Sequence, residues 1–401
     1  MPDPAQPLTP DDTPATPPAQ YTDPPMFSAS VEGLDLWVYP CGKERLEALL
    51  LLIDGAQHSL KLCFYIYAKD DAGRTVRDAL IRAAQRGVKA TLIVDGFGAE
   101  ADARFFRDFT AAGGDFRVFS SRKSLRYLVR NHQKIALADD ARAIVGGFNI
   151  SDDYFAPPQE NGWNDLAVWL EGRAVSPLVD WYDNLLEWTD ADGVEWRHMR
   201  HAVRDWDAGS GAVRWLMGGL TRQLSGWARN VGRDLDKGRR LDLMMAYFSP
   251  PKRLLKKITA IAGRGEARLV MAGKSDNAAT IGASRSLYRK LLRGGTEIYE
   301  FDPCKMHTKL LVVDDVVYLG SANFDMRSLY INLEIVLRVE DAAFAAKMRE
   351  YIAGRLAASV QVTPELHARR GTFWNRLRWK VSWWLVGVAD YTVSRRLNLG
   401  L

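Results

Sequence analysis

Cysteine is scarce in this sequence, which contains only Cys41, Cys63 and Cys304 among 401 residues. Their number is odd and their spacing matches no known pattern, which argues against a disulfide framework and against a zinc site. Few and unpatterned cysteines suit a reducing compartment. We therefore expect the protein on the cytoplasmic side of any membrane that it contacts.

The start of the chain also lacks a long apolar run. Residues 1–26 are rich in proline, threonine and aspartate and contain no apolar block, which argues against a signal peptide and a transmembrane anchor there. Their composition predicts a disordered tail. A strong charge imbalance is missing as well. The net charge of +5 is a mild basic excess, which favours anionic partners such as acidic lipid or nucleic acid.

The chain does contain one polar pattern twice. Each copy has a His-x-Lys step, an Asp seven residues after the histidine, and a glycine turn that ends in Asn. The first copy comprises Asn131-His132-Gln133-Lys134, Asp139 and Gly146-Gly147-Phe148-Asn149, and the second comprises Met306-His307-Thr308-Lys309, Asp314 and Gly320-Ser321-Ala322-Asn323.

The apolar run after each lysine predicts a buried strand. Alternate residues of a strand project to the same side, so the histidine and lysine of each copy share one face. The glycines permit a tight return that brings Asn149 or Asn323 back beside that face. Two imidazoles, two ammonium groups and two carboxamides form a set of side chains suited to a phosphate group.

This duplicated spacing resembles the signature of the phospholipase D superfamily, H-x-K-x4-D-x6-G-[SG]-x-N, which is present twice in its members. The Gly-Gly of the first copy, residues 321–329 and Asn332-Leu333-Glu334 narrow the resemblance to bacterial cardiolipin synthases. There are two departures. Gly147 stands where Ser is more usual, and five residues instead of six separate Asp314 from Gly320.

The resemblance implies two-imidazole chemistry on a phosphodiester. His132 is expected to attack phosphorus and form a covalent phosphohistidine, while His307 gives a proton to the leaving alcohol. Family members place a carboxylate that fixes the imidazole tautomer 25 to 33 residues after each histidine. Asp165, within Trp163-Asn164-Asp165, and Glu334 occupy those places; the alternative for Asp165 is a solvated carboxylate at the start of a strand.

The remaining motif residues are expected to neutralise charge or to support the site. Lys134, Lys309, Asn149 and Asn323 can donate to the non-bridging oxygens, so we expect no metal and no other cofactor. Asp139 and Asp314 are expected to make structural salt bridges. Gly147 and Ser321 are expected to shape the turns.

The order of strands and helices repeats along the chain, which predicts an internal duplication. Residues 59–67, 88–94, 241–248 and 268–272 are predicted strands, and residues 74–86, 101–112, 254–262 and 284–292 predicted helices. We predict an α/β fold of two tandem phospholipase D-like domains, related by a pseudo-twofold axis, with the active site at their seam. The expected segments are the tail 1–26, the domains 27–205 and 206–365, and a C-terminal piece 366–401.

Two stretches bear on lipid contact. The apolar residues between Val213 and Val231 recur at three- and four-residue steps with Arg214, Arg222 and Arg229 between them, which predicts an amphipathic helix, either packed in the core or facing lipid. In the C-terminal piece one helical face carries Phe373, Trp374, Leu377, Val381, Trp384, Leu385 and Val388, with many arginines nearby. That piece is too short and too charged to span a bilayer, and its composition suits the headgroup region.

The sequence therefore predicts a phosphatidyltransferase that makes cardiolipin. It would transfer a phosphatidyl group between phospholipids, with phosphatidylglycerol the expected substrate, at an anionic membrane surface and without nucleic acid as a partner. It would act as a peripheral protein on the cytoplasmic face of the bacterial inner membrane, like family members that have no N-terminal transmembrane helices. Two alternatives stay open: a hydrolytic phospholipase D or nuclease, and a membrane-binding scaffold without activity.

Overall fold

The computed structural model of the chain describes residues 21–119, 129–190, 196–206, 210–219, 221 and 223–389. Most of the predicted N-terminal tail, and the chain from residue 390 onward, lie outside the described residues. Within the described ranges, no helix combines the length and the apolar character that a membrane crossing requires.

The first half folds as a sheet with interleaved helices. Its strands are β1 (Phe27–Val31), β2 (Leu34–Tyr39), β3 (Ser59–Phe64), β4 (Lys89–Asp95), β5 (Asp115–Phe119), β6 (Ile135–Ala138), β7 (Arg142–Gly146), β8 (Trp163–Asn164) and β9 (Ala167–Glu171). Its helices are α1 (Gly42–Asp54), α2 (Asp71–Gln85), α3 (Arg107–Ala111), α4 (Asp152–Phe155), α5 (Ser176–Asp190) and α6 (Trp196–Asp205).

The second half repeats this plan. Its strands are β10 (Val213–Gly218), β11 (Arg240–Met245), β12 (Glu266–Ala272), β13 (Glu297–Phe301), β14 (Lys305–Met306), β15 (Lys309–Val313), β16 (Val316–Gly320), β17 (Glu334–Glu340) and β18 (Ser359–Gln361). Its helices are α7 (Gly226–Lys237), α8 (Lys252–Arg264), α9 (Ala278–Arg293), α10 (Met326–Tyr330), α11 (Ala342–Ala357), α12 (Pro364–Arg370) and α13 (Phe373–Trp384).

Seven consecutive strands of the two large sheets match in order, from β2 to β5 in the first and from β10 to β13 in the second, while β1 and β18 are unmatched strands at opposite edges. The first sheet runs β1-β2-β9-β7-β6-β3-β4-β5 and the second β10-β17-β16-β15-β11-β12-β13-β18. In each, three neighbouring strands are parallel (β3-β4-β5 and β11-β12-β13), and the two motif strands form an antiparallel hairpin beside them. The repeated order confirms the predicted α/β fold of two similar halves.

Local signals explain the helices that the sequence predicted well. The side chain of Asp70 caps α2 by accepting a hydrogen bond from the Gly73 N–H, and Val76 and Leu80 are buried on the apolar face of this helix.

The helix predicted over residues 101–112 is wrong in its length, because only the residues of α3 within that range are helical. The Asp102 carboxylate accepts from the N–H groups of Arg104 and Phe105, which makes a turn there instead.

The single helix predicted over residues 213–231 is also wrong. Its first part is the edge strand β10, which pairs with β17 and buries Trp215 and Met217 at alternate positions. Its later part is α7, where Trp227 and Val231 are buried in the core. Apolar residues at these positions satisfy a strand period as well as a helix period, and pairing along β17 decided between them. Leu220 and Arg222 of the predicted helix lie outside the described residues.

One apolar core runs through both halves. It includes Val38 and Leu170 of the first sheet together with Leu243 and Val317 of the second. Trp215 adds a polar link, because its indole N–H donates to the carbonyl of Ala174 at 2.7 Å. The shared core holds the two sheets in one arrangement and so determines how the two motifs face each other.

Helix α13 packs through only one of its sides. Trp379 and Ser382 are buried against α9, where a Cβ added at Gly282 would lie 2.6 Å from the Ser382 hydroxyl oxygen. His367 stacks on Trp379 with ring centroids 5.2 Å apart. The predicted apolar face lies elsewhere on the helix, and six of its members are 44% to 74% exposed: Phe373, Trp374, Leu377, Val381, Trp384 and Leu385. We call these six residues the outer face of α13.

Candidate active site at the seam between the halves

Backbone contacts between the halves place the two motifs together. The strand β14 pairs with β8, and the N–H of His307 donates to the carbonyl of Asn164 at 2.8 Å. On the opposite side, the N–H of His132 donates to the carbonyl of Leu333 at 3.0 Å. Each histidine is therefore tied by its backbone to the residue that precedes a carboxylate of the other half.

The imidazoles and carboxylates pair across this seam. His132 Nδ1 lies 3.0 Å from Glu334 Oε2, and His307 Nδ1 lies 2.6 Å from Asp165 Oδ2. In the sequence, Asp165 follows His132 and Glu334 follows His307. In the structure each carboxylate instead pairs with the histidine of the other half. All four residues are buried, and Asp165 is only 1% exposed, so it is not a solvated carboxylate.

Burial and the neighbouring charges determine the protonation of these pairs. Burial lowers the pKa of His132 despite the Glu334 carboxylate, and burial together with the Lys309 ammonium lowers the pKa of His307 to about 3. Burial alone would raise the pKa of Asp165 and Glu334, but the adjoining imidazoles and lysines hold both below their usual range. Each pair is thus a neutral imidazole donating Nδ1–H to a carboxylate, which leaves a lone pair at Nε2 for attack or proton transfer.

Two buried ammonium groups lie beside the imidazoles. Lys134 Nζ donates to the carbonyl of His132 at 2.5 Å, and Lys309 Nζ donates to the carbonyl of His307 at 2.5 Å. Burial lowers the pKa of Lys134 to about 7 and that of Lys309 to about 8, with partial compensation from Asp165 and Glu334. Two cations held apart from water are stabilised by an anion placed between them.

The two motif carboxamides are also buried but differ in their contacts. Asn149 Oδ1 accepts from the Ile66 N–H at 3.0 Å, and its Nδ2 donates to the Tyr154 hydroxyl at 2.9 Å. Asn323 Oδ1 is buried and has no hydrogen-bond partner among the described residues. Among the residues that the structure describes, no three His, Cys, Asp or Glu side chains are grouped as metal ligands would be.

The departure from the family pattern at Gly147 has a steric reason. A Cβ at Gly147 would lie 2.4 Å from Asp165 Oδ1, so a serine could not stand there without moving the carboxylate. At the equivalent position of the second half, the Ser321 hydroxyl donates to Glu334 Oε2 at 2.5 Å. In the second half the space beside the turn is occupied by the Ser321 hydroxyl, whereas in the first half the Asp165 carboxylate occupies the corresponding space.

Asp139 and Asp314 lie at the tips of the motif hairpins, away from the imidazoles in the strand register. Both adopt positive φ angles, 53° and 47°, which Asp tolerates better than most residues. The Asp139 carboxylate accepts from the N–H groups of residues 57–59 and pairs with Arg142, and Asp314 accepts from the N–H groups of Arg239 and Arg240. These contacts anchor the starts of β3 and β11. Hydrogen bonds to backbone therefore outnumber the salt bridges that the sequence predicted.

Further side chains, not singled out from the sequence, adjoin the imidazoles. Tyr65 packs on His132 with ring centroids 4.9 Å apart, and Tyr154 packs on His307 at 5.1 Å. The Tyr154 hydroxyl lies 3.5 Å from His307 Nε2, and the Ser328 hydroxyl donates to Glu334 Oε1 at 2.7 Å. Tyr154 and Ser328 each lie five residues after a motif Asn, so alignment of the two copies could have found both.

Arg45 of α1 links several loops around Asp165. Its buried guanidinium donates to the carbonyl of Asp165 at 2.5 Å and to that of Tyr154 at 2.6 Å. No sequence pattern predicted this residue, because these two carbonyls lie more than a hundred positions away in the chain.

Comparisons with known proteins agree with this geometry. A family model described as "Cardiolipin synthase, PLD-like domain" matches residues 49–186 and 233–356. Cardiolipin synthase B of Escherichia coli is 30% identical over 353 residues, which are 86% of each chain. The major cardiolipin synthase ClsA of Bacillus subtilis is 29% identical, covering 85% of this chain and 72% of that protein.

A solved structure supports the fold. The phosphatidylserine synthase of Haemophilus influenzae superposes with a TM-score of 0.73 at 14% identity, covering 94% of this chain and 97% of the other. That identity is too low to carry more than the architecture. Because the family model covers well over half of the chain and a curated relative is 30% identical across most of it, the chain belongs to the cardiolipin synthase family of phospholipase D-like proteins.

Proposed function

We propose that the protein is a phospholipase D-type phosphatidyltransferase that makes cardiolipin, with phosphatidylglycerol as both donor and acceptor. The observation that carries the proposal is the pair of crossed imidazole–carboxylate contacts, His132–Glu334 and His307–Asp165. They provide two Nε2 atoms at one seam, beside two buried ammonium groups. Such a site can bind one phosphodiester and exchange one of its alcohols for another.

In the first step, His132 Nε2 attacks the phosphorus of the donor lipid. Glu334 holds the Nδ1–H and stabilises the positive charge that develops on the ring. The bond from phosphorus to the headgroup oxygen breaks, and His307, protonated once the substrate anion is bound, gives its Nε2 proton to that oxygen. Glycerol leaves, and the phosphatidyl group stays on His132 as a phosphohistidine.

In the second step, the same groups act in reverse. His307, now neutral, takes the proton from a hydroxyl of the acceptor lipid, and the alcohol oxygen attacks phosphorus. The phosphorus–nitrogen bond breaks, which returns His132 to its starting state. Lys134, Lys309, Asn149 and Asn323 donate to the non-bridging oxygens in both steps, where they offset the transition-state charge.

We propose further that the outer face of α13 contacts the headgroup region of an anionic membrane on its cytoplasmic side. Tryptophan and leucine on one helix face, flanked by arginines, suit that region. The contact with Gly282 places α13 on the second turn of α9, and the loop before α9 holds Asp276, which accepts from Tyr247 beside His307. The C-terminal end of the outer face, near Ser382, and the candidate site therefore lie toward the same end of α9. The cysteines are free, as a reducing compartment requires.

The proposal is tested by incubating purified protein with phosphatidylglycerol vesicles and identifying the lipid products by mass spectrometry. Cardiolipin and free glycerol are expected in equal amounts. Phosphatidic acid as the main product would indicate a hydrolase, and cleavage of added single-stranded DNA would indicate a nuclease. The His132→Ala protein serves as the control for contaminating activity.

Rapid quenching followed by peptide mapping tests the roles of the two histidines. A phosphatidyl adduct on His132 is expected. An adduct confined to His307 would keep the overall reaction but reverse the nucleophile and the acid.

A further inference from the structure

A cleft of about 220 Å³ opens where the two halves adjoin, and no residue of the two motifs lines it. It lies between α6, the edge strand β10 and α7. Trp206, Leu216 and Met217 form apolar parts of its wall. Its polar lining is dominated by four arginines: Arg204, Arg214, Arg229 and Arg233.

Three of these arginines have no carboxylate partner within the part of the chain that the structure describes. Arg204 is paired with the adjacent Asp205. In contrast, Arg229 donates to the carbonyl of Leu224, and Arg233 donates to the side-chain oxygen of Asn230. Arg214 Nε is buried without any hydrogen-bond partner.

Elsewhere the same protein neutralises its clustered arginines. Asp242 forms salt bridges with three arginines, which are Arg240, Arg268 and Arg349. Glu300 forms salt bridges with Arg285 and Arg370. The acids of α7 already have partners, since Asp234 binds Arg338 and Asp236 binds Lys257. The cleft arginines differ from these two clusters, because among the described residues Arg229 and Arg233 are exposed without a carboxylate partner and one buried donor of Arg214 has no acceptor.

This arrangement is unfavourable without a ligand. Arg229 and Arg233 lie one turn apart on α7, a spacing at which like charges destabilise a helix. A buried N–H without an acceptor, such as Arg214 Nε, adds a desolvation penalty. An oxyanion relieves both effects at once, because guanidinium groups bind phosphate through paired N–H donors.

We propose that this cleft is a second anion site, which takes the phosphate group of a glycerophosphate headgroup. Arg214, Arg229 and Arg233 would bind the phosphate oxygens, and the apolar wall at Trp206 and Leu216 would contact the glycerol and the first acyl carbons. The site is separate from the catalytic one: Gly218 of β10 pairs with Glu334, and Arg214 lies four residues earlier, about 13 Å along the strand. Binding here does not depend on the proposed transferase reaction.

The test labels the full-length protein with 5-fluorotryptophan and follows the fluorine NMR signal of Trp206, assigned with the Trp206→Phe variant. The titrants are inorganic phosphate, glycerol 3-phosphate and dihexanoyl phosphatidylglycerol kept below its micelle concentration. The Arg229→Gln/Arg233→Gln variant removes two cations of the cleft. The Lys252→Gln/Lys256→Gln variant removes two exposed cations at the same spacing on the neighbouring helix α8 and is the matched control.

A saturable shift of the Trp206 signal is expected, with affinity weakened about tenfold or more in the arginine variant and unchanged in the lysine control. Tighter binding of the short-chain lipid than of phosphate assigns the site to a lipid headgroup, and equal binding assigns it to free phosphate esters. The proposal is overturned if no titrant shifts the signal at about 10 mM, or if the arginine variant binds as the wild type does.

Discussion

At the scale of single residues, the candidate site depends on groups that neither half supplies alone. The first half provides one imidazole, and the second half provides the carboxylate that orients it. The reverse holds for the other pair. Each imidazole thus has its tautomer set by the opposite half, so a change to either partner acts on the other half's chemistry.

Removal of either histidine should abolish turnover. His132→Ala and His307→Ala are each expected to lower the rate by about 10³-fold or more, and the double variant should be hardly worse, because residues that act as a unit are not additive. Initial rates of cardiolipin formation measure this. His58→Ala, at an exposed position, is the control. A single histidine variant with nearly the wild-type rate would rule out the two-imidazole mechanism.

The pairing of each histidine with the carboxylate of the other half gives a second prediction. Glu334→Gln should remove the low-field proton NMR signal of the His132 Nδ1–H and leave that of His307, and Asp165→Asn should do the opposite. Each change should lower kcat by roughly 10²- to 10⁴-fold, because the orienting charge is lost. If each substitution instead removed the signal of the histidine in its own half, the crossed pairing would be wrong.

The two lysines predict a pH dependence. In the free protein the pKa of Lys134 is about 7 and that of Lys309 about 8, so their positive charge is present at lower pH and is lost as pH rises through these values. Binding of an anionic substrate should weaken accordingly, and kcat/KM should fall above pH 8. A bound phosphate raises both pKa values, so kcat should persist to higher pH. A value of kcat/KM that stays constant to about pH 10 would contradict this account.

At the scale of elements, the short pairing of β14 with β8 and the packing of α13 on α9 have different consequences. The first brings His307 to Asn164 and so aligns the site. The second buries Trp379 while leaving six apolar residues uncovered. An exposed apolar face of this size on a packed helix is typical of a contact surface.

The outer face of α13 should therefore govern vesicle binding without governing the fold. Trp374→Glu/Trp384→Glu is expected to weaken binding to anionic vesicles by about tenfold or more, since each large side chain loses its apolar burial. Turnover of a short-chain, monomeric lipid should change much less. The matched control is Trp379→Ala, which should lower the melting temperature instead. Unchanged vesicle binding by the glutamate variant would place membrane contact elsewhere.

At the scale of the whole molecule, the shared core and the net charge are the relevant properties. The core crosses from one sheet to the other, so the seam is part of the folded body. The limits of the two predicted domains, at residues 205 and 206, stay a prediction. The net charge of +5 favours an anionic surface over a neutral one.

Vesicle binding should accordingly weaken with salt. An increase in ionic strength from about 0.05 M to about 0.5 M should reduce binding to phosphatidylglycerol vesicles several-fold, because exposed charges become screened. Sedimentation of the protein with vesicles measures this, and vesicles of neutral phosphatidylcholine are the control. Equal binding at both salt concentrations would contradict an electrostatic contribution and would attribute vesicle binding to the apolar face alone.

The sequence by itself determined the family and the duplication, and it predicted the eight principal side chains of the candidate site, because the His-x-Lys spacing and its repeat are local patterns of the chain. It also located the apolar face of α13, since helical periodicity is local as well. It could not decide that residues 213–218 form a strand, because their apolar pattern fits two periods and only pairing with β17 selects one. Nor could it reveal the crossed carboxylates, Arg45 or the arginine cleft. These join residues far apart in the chain, and only the packing of the two halves around one core brings such residues together.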